Sequence, residues 1–183
     1  GFTRASYHFA GWADSAEKAQ AGTIVYSDQA QVLNLAESGT VTLYAVWTNK
    51  QVLMPDKRMQ TKIYNGAAQT FTLEGFTVAY QKNGGTLTDP TGAGTYDVVI
   101  SAVETETTAA YPETIIPGGL VIEKAALNVT ADSQNIYVNG VLPDYTYTVS
   151  GWQGNDKDNA ATLLTGVVIT CPDADKSKTG TYD

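Results

Sequence analysis

The sequence repeats itself. Gly94-Thr95-Tyr96-Asp97 recurs as Gly180-Thr181-Tyr182-Asp183. Lys62-Ile63-Tyr64-Asn65-Gly66 precedes the first copy, and Asn135-Ile136-Tyr137-Val138-Asn139-Gly140 precedes the second. Two landmarks in the same order, at a similar separation, mark two copies of one module. A tandem array of small modules points to reach or to binding.

With that repeat as a guide, the 183 residues divide into segments 1–48, 49–124 and 125–183. Each lies near the lower size limit for an independent core. Hydrophobic residues make up 43% of the chain, enough for packed interiors, while charged residues are only 16% against roughly 25% in an ordinary globular protein. Thr, Val and Tyr are plentiful and there are only two Met. This is a composition of strands and turns.

The formal net charge of -8 argues against nucleic acid as a partner, because phosphate binding needs clustered Lys and Arg. Lys57-Arg58 with Lys62 is too small a cluster to change that. Cys171 is the only cysteine, so neither an intrachain disulfide nor a pattern of metal-binding thiols is possible. The chain lacks a run of about 18 apolar residues, so no membrane-spanning helix is expected. It begins at Gly1 without Met and stops inside the repeated motif, as expected of a piece of a longer protein.

Several strands can be placed from alternation. In the first segment Val41, Leu43, Ala45 and Trp47 alternate with Thr42, Tyr44 and Val46. Gln29 to Ser38 reads as a short helix or irregular turn with Val32, Leu33 and Leu35 inward. Phe9-Ala10-Gly11-Trp12 reads as a strand end with a tight turn. In the second segment Phe76–Tyr80, Tyr96–Ile100 and Leu120–Ile122 read as strands. Asn65-Gly66 and Asn83-Gly84 are hairpin-turn signals, since both residue types tolerate positive φ. Glu104 to Pro117 is polar and proline-bounded, which predicts a loop carrying an edge. In the third segment Leu127–Thr130 and Tyr145–Val149 alternate as strands. A short helix is expected within 154–164, with Asp156 or Asp158 near its start, Gly166 beyond its end, and Leu163, Leu164 and Val167 toward the core. No counterpart of Leu120-Val121-Ile122 follows the second Gly-Thr-Tyr-Asp, which predicts an open edge.

Two resemblances rest on these residues. Phe9, Gly11, Trp12, Tyr26, Asn34-Leu35 and Val41-Thr42-Leu43-Tyr44-Ala45-Val46-Trp47-Thr48 resemble the C-terminal part of a Listeria–Bacteroides repeat, the B-repeat type of internalin-like surface proteins. The likeness covers about residues 2–48, without the family's N-terminal strand. The other two segments resemble MBG-type bacterial repeats in their Y-G-x form. The third carries the likeness in Ala126–Ala131, Tyr137, Gly140, Pro143, Tyr145–Gly151 and Gly180-Thr181-Tyr182. The second carries it in Tyr64, Gly66, Gly75, Gly94-Thr95-Tyr96 and Gly119–Ala125. Both copies insert residues between Tyr and Gly, where the usual form has them adjacent. The resemblance implies a long bacterial surface protein, and it brings no catalytic residues with it.

The chain is thin in chemistry. His8 is the only histidine, so any Ser-His-Asp or Cys-His catalysis would have to use it. Its place between Tyr7 and Phe9 reads instead as a half-buried sheet position. Cys171, before Pro172, reads as a structural thiol. Glycosidases need only two carboxylates. The neighbouring pairs Asp156 with Asp158, Asp173 with Asp175 and Glu104 with Glu106 all fall in expected loops, where solvation is the simpler reading. Asn155-Asp156-Lys157-Asp158-Asn159 alternates oxygen donors, which makes Asp156 and Asp158 a weak calcium candidate. It lacks the Gly and distant Glu of an EF-hand loop. Asn128-Val129-Thr130 fits a glycosylation acceptor but reads as strand.

Aromatic residues are the remaining suspects. Trp12 and Trp47 occupy motif positions suited to a core. Trp152, Tyr145 and Tyr147 are the candidates for stacking on a ligand. The expected fold is mainly β: tandem small modules, immunoglobulin-like or β-grasp-like, elongated and with at most short helices. Short linkers near 48–55 and 123–126 would limit bending. The expected function is a non-enzymatic stalk at the bacterial cell surface, extracellular, displaying an adhesive domain. It is expected to be monomeric and to need no cofactor. The alternative makes the modules themselves adhesive, toward host glycan or extracellular matrix protein.

Overall fold

The computed structural model describes residues 2–33 and 35–182; Asn34 and Asp183, invoked by the resemblance and the repeat, lie outside the described residues. Strand β1 (Tyr7–Ala13) is followed by helix α1 (Ala16–Gln20) and β2 (Tyr44–Asn49). β1 and β2 pair antiparallel from Tyr7↔Asn49 to Ala13↔Tyr44, with the register shifting between Phe9 and Gly11. The extra residue is a bulge, and Gly11 sits at φ +151. A Cβ there would fall 2.7 Å from both the Tyr26 carbonyl oxygen and Ile24 Cγ2. Glycine is thus required by the close approach of residues 24–26, where the Trp12 N–H donates to Tyr26 O at 2.8 Å. Helix α1 begins with the Ser15 side chain accepting from the Lys18 N–H at 3.2 Å.

The largest sheet has five strands: β3 (Gln60–Ile63), β4 (Thr77–Lys82), β5 (Gly85–Leu87), β6 (Gly94–Ala102) and β7 (Tyr111–Glu123). They lie in the order β3-β7-β6-β4-β5. β3 runs parallel to β7, Gln60↔Leu120 through Ile63↔Glu123. β4 and β5 form an antiparallel hairpin across Asn83-Gly84, with φ of 52° and 77°. Positive φ at both turn residues matches the twist of the flanking strands. Val98, Ile100 and Leu120 are fully buried. Each such side chain stabilises the fold by about 1.5–3 kcal/mol relative to exposure.

Beyond it, β8 (Asn128–Ala131) and β9 (Tyr147–Ser150) pair antiparallel, Asn128↔Ser150 through Ala131↔Tyr147. A 3-10 turn (Asp156–Asn159) leads into α2 (Ala160–Leu163), with Gly166 beyond it at φ +84. The fold is therefore mainly β with two short helices, as its composition predicts. By contact density the chain forms two units. One comprises Gly1–Lys57, Leu73–Ala79 and Val99–Ile116; the other comprises Arg58–Thr72, Tyr80–Val98 and Pro117–Asp183.

Four local expectations need correction. Residues 104–117 are not all loop, because Tyr111–Glu123 is the longest strand and lies inside the sheet. Pro117 is tolerated there because the strand is irregular: Gly118 adopts φ +60, and its N–H donates to the Asp97 carboxylate at 2.7 Å. Asn65-Gly66 does not turn a hairpin. The Asn65 side chain accepts from the Ala67 N–H at 3.0 Å, and the preceding strand pairs in parallel with distant β7. Residues 29–33 and 35–38 contain no helix, and Leu33 is 85% exposed. Leu163 faces solvent, while Leu164 and Val167 are half-buried.

Three smaller readings also resolve. Phe9–Trp12 lies inside β1 at its bulge, not at a strand end. β2 starts at Tyr44, with Val46 as its buried residue. Trp12 and Trp47 are half-buried and pack edge-on against Phe9, at 5.1 and 5.7 Å between ring centroids.

Candidate functional site

The pattern Tyr145-Thr146-Tyr147-Thr148 sends alternate side chains to opposite faces. Thr146 and Thr148 thereby share one face, and both hydroxyls donate to Asp132, at 2.8 and 2.7 Å. The hydrogen bonds from Thr148 and then Thr146 hold the Asp132 carboxyl below its ordinary 3.8. The sequence pattern carried this signal, but Asp132 was not among the expected site residues.

The aromatic candidates separate. Tyr147 lies on β9 opposite Ala131 and is 37% exposed. Trp152 is half-buried just past β9. The intervening Gly151 adopts φ +92, and a Cβ there would lie 2.6 Å from the Ala126 carbonyl oxygen. Tyr145 is half-buried and lines a cavity of about 670 Å³, together with Tyr137, Leu142, Ile169, Cys171 and Tyr182. Trp152 and Tyr147 do not line that cavity.

Asp156 is engaged elsewhere. Its Oδ1 accepts from the Tyr64 hydroxyl at 2.8 Å. That hydrogen bond, with a smaller desolvation effect, raises the Tyr64 pKa above its ordinary 10.0. Beside it, a Cβ on Gly66 would lie 2.5 Å from the Gly154 Cα, so the two backbones touch. Asp158 is exposed on the 3-10 turn, where its N–H donates to Asn155 O at 3.0 Å. Among the described residues no group of three or more His, Cys, Asp or Glu is placed to hold a metal ion.

The other carboxylate pairs have local partners too. Glu104 pairs with Lys50 at 2.5 Å, and the same ammonium donates to the Thr105 carbonyl at 2.6 Å. Asp175 accepts from the Ser177 hydroxyl at 2.6 Å and pairs with Lys178 at 3.2 Å. His8 is half-buried in β1 opposite Thr48, and Asn128-Val129-Thr130 forms β8. No family model, curated protein or solved structure matches this chain. Among the described residues no helix is long and apolar enough to cross a membrane.

Proposed function

We propose that this chain is a non-enzymatic repeat region of an extracellular bacterial surface protein, serving as a stalk that displays an adhesive domain. The observation that carries this reading is the junction between the second and third segments. There the Tyr64–Asp156 hydrogen bond and the Gly66–Gly154 backbone contact fix residues 64–66 against residues 154–156. A spacer transmits position only where its joints resist bending, and packed glycines do so without long side chains to reorder. At the first junction the Lys50 N–H donates to Ser6 O at 2.9 Å, and the residue after it is held by the second segment. The Gln51 N–H donates to Thr107 O at 2.8 Å, and Gln51 O accepts from the Ala109 N–H at 2.9 Å. One member of each carboxylate pair is also committed to a structural partner, which supports a reading without hydrolysis.

A second reading, adhesion by the modules themselves to host glycan or matrix protein, is favoured by exposed Tyr147 on β9 and half-buried Trp152 just past that strand. Binding of the chain to a panel of host glycans and matrix proteins separates the two. The stalk reading expects no saturable binding. Saturable binding that disappears in Trp152→Ala would replace it with the adhesive reading.

A further inference from the structure

In chain order β3 and β7 are the first and last strands of the five-stranded sheet, yet they lie side by side. They run parallel, in register from Gln60↔Leu120 to Ile63↔Glu123. The N-terminal end of β3 and the C-terminal end of β7 therefore lie at opposite ends of one ladder. The Tyr64 N–H extends that ladder by donating to Glu123 O at 2.8 Å. Tension applied outward at those two ends slides one strand along the other. Every bond of the ladder is then strained together, because bonds between parallel strands are evenly spaced along them.

Both strands are fastened beyond the ladder itself. β7 lies between β3 and β6, and its Leu120 and Ile122 are buried. β3 is an edge strand, but its first residue has a second tie. The Gln60 side chain donates through Nε2 to Thr72 O at 2.8 Å and accepts through Oε1 from the Thr72 N–H at 3.0 Å. One side-chain amide thus engages the Thr72 backbone as a neighbouring strand would. Residue 72 is itself anchored, since adjacent Phe71 is buried and its N–H donates to the Tyr80 hydroxyl at 2.8 Å. This paired contact sits at the end of β3 where tension from the N-terminal side enters.

The geometry points to a tension-bearing clamp: the β3–β7 ladder, locked at Gln60 by Thr72, resists a lengthwise pull far better than a pull that peels the same two strands apart. A pull on residues 63 and 124 loads the ladder at one end only, so its bonds break one at a time. Forced unfolding is governed by the unfolding barrier, so two directions of pulling on one fold differ although its equilibrium stability is the same. For its use the clamp rests on the stalk reading, because a region that displays an adhesive domain is loaded along the chain when that domain holds its target.

The test pulls the whole chain by single-molecule force spectroscopy, with handles on bioorthogonal side chains in two geometries. One pair replaces Met59 and Lys124, the other Ile63 and Lys124, and all three positions are exposed. At equal pulling rate the first pair should require at least about twice the force of the second, since several bonds bear the load together instead of in turn. Gln60→Ala should lower the force in the first geometry and leave the second unchanged, because peeling from residue 63 reaches residue 60 last. Equal forces in the two geometries would overturn the clamp, whether or not the chain binds glycan or matrix protein. A Gln60→Ala loss of the same size in both would overturn the lock and reduce Gln60 to a contributor to general stability. Saturable binding to the glycan and matrix panel would remove the stalk reading while the difference between the two forces remained, so the two failures read out separately.

Discussion

The hydroxyl of Tyr64 donates to Asp156 Oδ1 across 92 residues of sequence, at 2.8 Å. Tyr64 is the middle residue of the first repeat landmark, and Asp156 opens the 3-10 turn of the third segment. One hydrogen bond therefore ties two segments whose boundary the sequence marks only by Glu123–Ala126. The Gly66–Gly154 contact lies two residues from each partner and fixes the distance at which that bond forms.

The bond has a pH signature. The nearby carboxylate raises the Tyr64 pKa above 10.0, chiefly through the hydrogen bond itself. A group whose folded pKa is raised contributes stability that is whole below its unfolded value and is lost as pH rises through the folded value. The melting-temperature gap between the native chain and Tyr64→Phe should be constant near neutrality and close as pH climbs past about 10. A gap that stays open in strong alkali would show that Tyr64 contributes by packing instead.

Gly66→Ala tests the contact beside it. Gly66 and Gly84 share a φ of +77, but only Gly66 has atoms within 4 Å of an added Cβ. Gly84→Ala should cost about 1–2 kcal/mol, the penalty of left-handed backbone. Gly66→Ala should cost about 1–3 kcal/mol more, because Gly154 must move. Urea unfolding of both variants measures the difference, and equal costs would mean that the junction yields freely.

Legibility in the sequence followed the range of the interaction. Alternation located β4, β6 and β9, because a half-buried strand writes its own period of two. Asn83-Gly84 revealed its hairpin because a two-residue turn is decided locally. Asn65-Gly66 carried the same signal and misled, since β3 pairs with β7 sixty residues away and no local pattern records that choice. Pro117 hid a central strand because its missing N–H is accommodated by Gly118 and Asp97, a pairing that only the fold creates. At the candidate site, Thr146 and Thr148 were legible as one face. Their acceptor Asp132 was not, because it enters from beyond the end of another strand.

The core should lie where burial places it. Leu120 is 0% exposed and Leu163 is 52% exposed. Leu120→Ala should destabilise by about 2–5 kcal/mol through lost transfer energy and the cavity left behind. Leu163→Ala should change stability by less than about 0.5 kcal/mol. Denaturant midpoints decide it, and a large cost at Leu163 would restore the inward-facing helix that its sequence suggests.

Asp132 offers the acid counterpart to Tyr64. With two threonine hydroxyls donating to it, its carboxyl titrates below 3.8 in the folded chain. A depressed carboxyl pKa contributes stability that is present above the unfolded value and lost as pH falls through the folded one. Protonation takes the charge from the acceptor while both threonines still face it, so β8 and β9 should separate more readily in acid. Amide exchange at Val129 and Val149, paired across the two strands, should be slower in the native chain than in Asp132→Ala at neutral pH. That advantage should shrink below about pH 4. Asp132→Asn keeps one accepting oxygen and replaces the other with a donor, so it should fall between the two without the acid dependence. A directly measured Asp132 titration at or above 3.8 would mean that the threonines do not hold the carboxylate in solution, and the β8–β9 pair would then rest on its backbone ladder alone.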